Sequence, residues 1–154
     1  MATESPLLHD GSHFTLSTSY DARRSSITGT TLNGPNGSAQ FFPVFISTVN
    51  ANQVTLSTGG TTPSSFCQCL GILQNTPGPG DAADIGIFGV TKAIAASTFP
   101  AGTLLQPSST TAGQVTTYLQ GNGPPLGFAI DTVTSTGTVF TMGLFGWSHG
   151  GYST

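Results

Sequence analysis

Turn-forming residues interrupt this chain about every ten positions, and that rhythm limits its possible folds more than any other feature. Between the interruptions lie short apolar stretches: "AQFFPVFISTV" (39–49), "QVTLST" (53–58), "FCQCLGILQ" (66–74), "DIGIFGVTKAIA" (84–95), "GTLLQ" (102–106), "QVTTYL" (114–119), "LGFAIDTV" (126–133) and "GTVFTMGLFGW" (137–147). Most are the length of a strand and too short for a helix that is stable alone. The 31 glycines and prolines, 25 threonines and 17 serines point the same way, because all four types are poor in helix interiors. Ten Phe, three Tyr and one Trp, with many aliphatic residues, supply enough apolar surface for a core. The expectation is all-β: a compact sandwich or barrel of short antiparallel strands. In the first stretch, Phe42, Val44 and Ile46 fall on one side of a strand and Phe41 and Phe45 on the other, while Pro43 favours an edge or a bulge. One helical alternative competes, at "TKAIAASTF" (91–99).

A phrase recurs. Leu70-Gly71-Ile72 aligns with Leu126-Gly127-Phe128, and, one inserted residue later, Gly86-Ile87-Phe88-Gly89-Val90 aligns with Gly143-Leu144-Phe145-Gly146-Trp147. Each copy reads as strand, turn, strand, which is a β-hairpin plan. In the second strand Phe88 and Val90 share one face, as do Phe145 and Trp147, and these four are the candidate core or interface residues. Glycines on both sides imply bulges or close approach of another backbone. Either the phrase is a true internal repeat or two unrelated hairpins share a composition. Neither reading places a reactive group in it.

Charge is scarce. Only 6% of residues are charged, the net charge is −3, and Arg23, Arg24 and Lys92 are the only permanent cations. Such a chain cannot supply a phosphate-binding surface, so nucleic acid is excluded as a partner. No apolar run approaches the length of a membrane span, and "MATESP" lacks the basic start and apolar stretch of a signal peptide. Cytosolic synthesis is expected. Cys67 and Cys69 lie too close for an unstrained disulfide and lack further zinc ligands, so they read as two buried thiols.

Residues 1–38 differ from the rest, holding His9, His13, Glu4, Asp10, Asp21 and both arginines among scattered apolar residues. They read as an extended N-terminal arm and linker, with a short strand at "HFTLST" (13–18), leading to a β domain over 39–154. "HDGSH" (9–13) contains the ingredients of a hydrolase triad, but adjacent residues in an arm cannot hold triad geometry. Asp81, Asp84 and Asp131 are the only acids after Asp21 and suit turns better than a paired-carboxylate cleft or a calcium site. Trp147 and Tyr152 would suit a sugar-stacking platform, although a packed Trp147 is the more economical reading. No catalytic residue, metal site or cofactor is expected, and the chain is not read as an enzyme.

From Leu70 to Trp147, the order "GIFGV", a small-residue stretch, "AGTLL" (101–105), "TAGQV" (111–115), "PLGFAID" (125–131) and a closing strand resembles the head decoration, or cement, proteins of tailed bacteriophages. That resemblance implies a compact β-tulip-like domain, commonly a homotrimer, seated on the outside of the capsid. The partners it implies are the major capsid protein and further copies of the chain. An arm carrying Pro6, Leu7, Leu8, Phe14, Arg23 and Arg24 would then lie across neighbouring capsid subunits, for instance by adding a strand to an exposed sheet edge. A tail-fibre or baseplate component and a carbohydrate-binding module are the competing expectations.

Overall fold

The computed structural model describes residues 13–18, 26–27, 30–31, 34–47, 53–56, 69–120 and 124–146. Among these there is no α-helix, only strands and one 3-10 turn at Pro35–Gly37. Five strands close a first barrel: β1 (His13–Thr18), β4 (Pro43–Ile46), β5 (Gln53–Leu56), β6 (Cys69–Leu73) and β7 (Ala82–Gly86), in the order β1-β5-β4-β6-β7. A small ladder of β2 (Ser26–Ile27) and β3 (Thr30–Thr31) stands apart. Five more strands form a second sheet: β8 (Gly89–Ile94), β9 (Leu104–Pro107), β10 (Val115–Thr117), β11 (Gly127–Ala129) and β12 (Val139–Leu144), in the order β10-β9-β11-β12-β8. A parallel bridge between Ala95 and Val115 joins its two edge strands, so this sheet also curls back on itself.

The two sheets are one plan used twice. Val44 faces Leu56 and Gly71 in the first, as Leu105 faces Thr117 and Gly127 in the second. Ile72 faces Gly86 as Phe128 faces Gly143. Ser17 faces Ala82 as Ile94 faces Val139, and the parallel contact Thr18↔Val54 corresponds to Ala95↔Val115. Every strand of one sheet thus has a counterpart in the other, with the same neighbours, direction and register. Of the two readings of the repeated phrase, the internal repeat is the correct one, and it extends well beyond the phrase.

The glycines explain why the phrase is so well preserved between the halves. A Cβ on Gly71 or Gly127 would point into its barrel and fall well inside 3.0 Å of the Gly86 or Gly143 carbonyl oxygen. Only glycine lets the two strands of each hairpin close to that distance. The turn of the first hairpin is held by side chains. Asn75 donates to the Ala82 carbonyl at 3.0 Å and accepts from the Asp84 N–H at 2.9 Å. Asp81 accepts from the Gly78 N–H at 2.9 Å.

Each barrel has its own apolar filling, and the two fillings meet. Phe42, Val44, Val54, Leu56, Leu73, Ala83 and Ile85 pack in the first. Leu105, Val115, Ala129, Phe140, Met142 and Leu144 pack in the second. Ile72 lies on the outer face of barrel 1 yet is fully buried among second-barrel residues, and Ile94, on the outer face of barrel 2, is fully buried among first-barrel residues. Phe42 lies against Gly113, which leaves no room for a Cβ. Burying an aliphatic or aromatic side chain of this size contributes about 1.5–3 kcal/mol, so this contact holds the barrels as a pair.

Three expectations change. "DIGIFGVTKAIA" is not one strand: it breaks at Ile87–Phe88, and Gly89, at a left-handed φ of +87°, starts the strand that carries the chain from barrel 1 to barrel 2. The helical alternative at 91–99 is strand as far as Ile94, because β8 pairs with β12 along its whole length. The strand His13–Thr18, read as part of an arm, pairs with β7 from His13↔Gly86 to Ser17↔Ala82 and so belongs to the barrel, Phe14 included. Pro43 does sit beside a bulge, between Val44 and Phe45, but in a strand flanked on both sides, and Phe45 is buried while Ile46 is exposed.

Candidate interaction surface

The outer face of barrel 2 carries a row of apolar side chains in register across four strands: Leu104 on β9, Phe128 on β11, bare Gly143 on β12 and Val90 on β8. Alternation puts them there, because Leu105, Gly127 and Ala129 point inward and their neighbours must point out. Leu104 is 43% exposed, Phe128 36% and Val90 73%. The Phe128 ring lies over Gly143, close enough to exclude a Cβ there, and stacks tilted on Phe145 with ring centroids 5.6 Å apart. Phe145 is 40% exposed, and Phe88, 59% exposed, lies beside Gly146 at the same end of the row. Large apolar groups this exposed and this close together mark an interaction surface more often than an accident of composition.

The matching face of barrel 1 makes the contrast. Pro43, Ile72 and Gly86 occupy the places of Leu104, Phe128 and Gly143, and all three are buried. Ile72 is covered by barrel 2, whereas its counterpart Phe128 is left open.

Asp131 and Asp81 are held by local hydrogen bonds. Asp131 accepts from the Thr141 N–H at 2.8 Å, and Lys92 lies in register with Thr141. Hydrogen bonds from the Thr141 side chain and backbone, with a smaller contribution from the Lys92 charge, hold the Asp131 carboxyl below its usual value. Asp81 closes the first hairpin turn, and the backbone of Asp84, in β7, is pinned to that turn by Asn75. Cys69 is half-buried, and desolvation of its sulfur pushes the thiol up to about 12, so it is an inert side chain. An open depression of about 490 Å³ lies elsewhere, lined by Ala96, Thr111, Gln114, Thr136 and Gly137, with no titratable side chain among them. Among the described residues no three His, Cys, Asp or Glu side chains come together as a metal site would need.

Of the residues singled out in the sequence, the structure brings together Phe88, Val90 and Phe145, at the surface and not in a core. Trp147, Tyr152, Cys67, His9, Asp10 and the arm residues Pro6, Leu7, Leu8, Arg23 and Arg24 lie outside the described residues, while Phe14 is in β1. Sequence reasoning missed Leu104 and Phe128. Their signal was present in "LGFAID", where Phe128 alternates against Gly127 and Ala129 and so must face out of the barrel they line.

The fold and this face define an all-β protein of two tandem barrels with one apolar outer face left open. Its fold is shared with a solved phage structure, the head fiber gp8.5 N base of bacteriophage phi29, at a TM-score of 0.52 and 12% identity, covering 86% of this chain and 92% of that one. No family model and no curated protein matches the chain.

Proposed function

We propose that the chain is a structural virion protein of a bacteriophage, bound to the outside of the capsid and acting by surface contact, not by chemistry. The observation that carries this reading is the fold likeness to a head fiber base over 86% of the chain. The exposed apolar row supports it, because a protein whose role is to hold and be held needs such a surface. In this reading copies associate, as a homotrimer, and contact the major capsid protein. Residues 1–12, with Pro6, Leu7 and Leu8, reach across neighbouring capsid subunits, and Arg23 and Arg24 add contacts of their own. Phe14 is no longer part of that arm, since it belongs to β1. Many copies would reinforce the shell through summed weak contacts.

The same likeness favours a second reading, that the two barrels form the base of a head fibre and not a plain cement protein. Quantitative mass spectrometry of purified particles against the major capsid protein tests the first reading, and electron microscopy separates the two. Abundant copies with low, rounded density on the capsid support decoration. Thin projections rising from each position support a fibre base. Absence from particles overturns both.

A further inference from the structure

The repeat gives the open face a partner. Barrel 1 and barrel 2 meet through unlike faces: the Ile72 side of barrel 1 sits against the Ile94 side of barrel 2. In barrel 2 the counterpart of Ile72 is Phe128, on the exposed row. In barrel 1 the counterpart of Ile94 is Ser17, on β1. A contact between unlike faces, made once within the chain, leaves one face of each kind unused by that contact.

We propose that the Leu104–Phe128–Val90 row is the docking surface for the first barrel of a second copy of the chain, seated on barrel 2 as barrel 2 sits on barrel 1. Copies therefore join head to tail, through a heterologous contact that closes into a ring if the rotation allows. Two observations favour this occupant. The row lies at the same register positions as the row Pro43–Ile72–Gly86, whose Ile72 is buried among second-barrel residues, so the equivalent surface of barrel 1 already has a partner in this molecule, and that partner is the same fold. The position that would meet the edge of the row also loses its charge: where barrel 2 has Lys92, barrel 1 has Thr15.

The inference deepens the self-association in the reading above and rests on it only there. It is tested on the full chain by sedimentation velocity and native mass spectrometry of the wild type, of Phe128→Asp, of Leu104→Asp, and of each variant mixed with wild type. Far-UV circular dichroism and a melting curve check that the variants keep their fold. Expected is a concentration-dependent wild-type oligomer and, in either variant, a rise of about tenfold or more in the concentration needed for half-association. Because the contact uses unlike faces, each variant keeps its β1 side intact. Mixtures should therefore contain wild-type copies joined to one terminal variant copy. Folded variants that associate like wild type overturn the inference. So does a wild type that stays monomeric to about 1 mM, or one that associates only after residues 147–154 are removed, which would make that segment the occupant. Variants that oligomerise normally and still decorate particles would sink the inference and leave the proposed function standing. A row-dependent oligomer absent from particles would do the reverse.

Discussion

Replacing Gly127 with alanine adds one methyl group, and the duplication says what it should do. The methyl would point into barrel 2 and fall well inside 3.0 Å of the Gly143 carbonyl oxygen, with the Met142 side chain 2.9 Å away. A methionine end can swing aside, but a carbonyl within a ladder cannot. β11 and β12 would have to part by about 1 Å, against an ordinary strand spacing of about 4.8 Å. That weakens one or two ladder hydrogen bonds, each worth about 1 kcal/mol net, and strains the packed interior by about 1–3 kcal/mol. The relief of glycine's conformational entropy returns only about 0.5–1 kcal/mol. The expected loss is about 2–4 kcal/mol, or about 5–15 °C in Tm for a chain of this size. Gly71→Ala makes the same intrusion at the equivalent place in barrel 1, against the Gly86 oxygen, and should cost a similar amount. Gly137→Ala is the control, with a φ of +76° and nothing within 4 Å of the new methyl, so it loses only the backbone preference of about 1–2 kcal/mol. Differential scanning calorimetry on the three variants reads the answer. If Gly127→Ala melts with the wild type, or at or above Gly137→Ala, the close approach of β11 and β12 is not what demands glycine there.

Three further outcomes follow from the geometry. Gly113→Ala, at a φ of +70° beneath the Phe42 ring, should cost about 2–4 kcal/mol and separate the melting of the two barrels into distinguishable calorimetric steps; a single sharp transition at the wild-type temperature would refute the role given to that contact. Because hydrogen bonds from Thr141 lower the Asp131 pKa in the fold, this carboxylate contributes stability above its unfolded value and loses it as pH falls through the folded one. Melting curves from pH 6 to pH 2 should therefore drop less steeply below about pH 4 in Asp131→Asn than in wild type, and parallel curves would remove Asp131 as a contributor. Cys69, with its thiol pushed up to about 12, should resist iodoacetamide at pH 8 in the folded protein and react once denatured, read by peptide mass mapping at that residue; ready labelling in the native state would refute the desolvation of its sulfur.

The hairpin phrase was legible because it is dictated locally. Gly71, Gly127 and Gly143 are required by contacts within single hairpins, so the pattern survives as letters. The rest of the duplication was not, because "HFTLST" and "VTKAIA" satisfy the same register with almost no shared residues. A strand that pairs with one neighbour and touches another through a parallel contact needs only alternation, and many sequences alternate. The strand at 13–18 was assigned to the arm for the same reason: the partner of β1 lies far along the chain, at β7, and no local pattern announces a pairing of such long range. Phe88, Val90 and Phe145 left the choice between core and interface open. Apolar side chains flanked by glycine suit either, and the pattern does not say which; Gly89 and Gly146, both at positive φ, lie beside these residues, which stand at the surface.

That surface follows from the polarity of the repeat. Had the two barrels met through like faces, a two-fold pair would have resulted, and both copies of the face would be covered. They meet through unlike faces instead, so Ile72 is buried where Phe128 is exposed, although both occupy one position of one plan. With only 6% of residues charged, the chain has little electrostatic means of keeping an exposed apolar row from finding its complement. In the inference above, the complement is the Ser17 side of β1, which corresponds to the Ile94 side of β8. The contact within the chain and the contact between chains are then the same physical solution, and the substitutions at Phe128 and Leu104 ask whether the molecule uses it a second time.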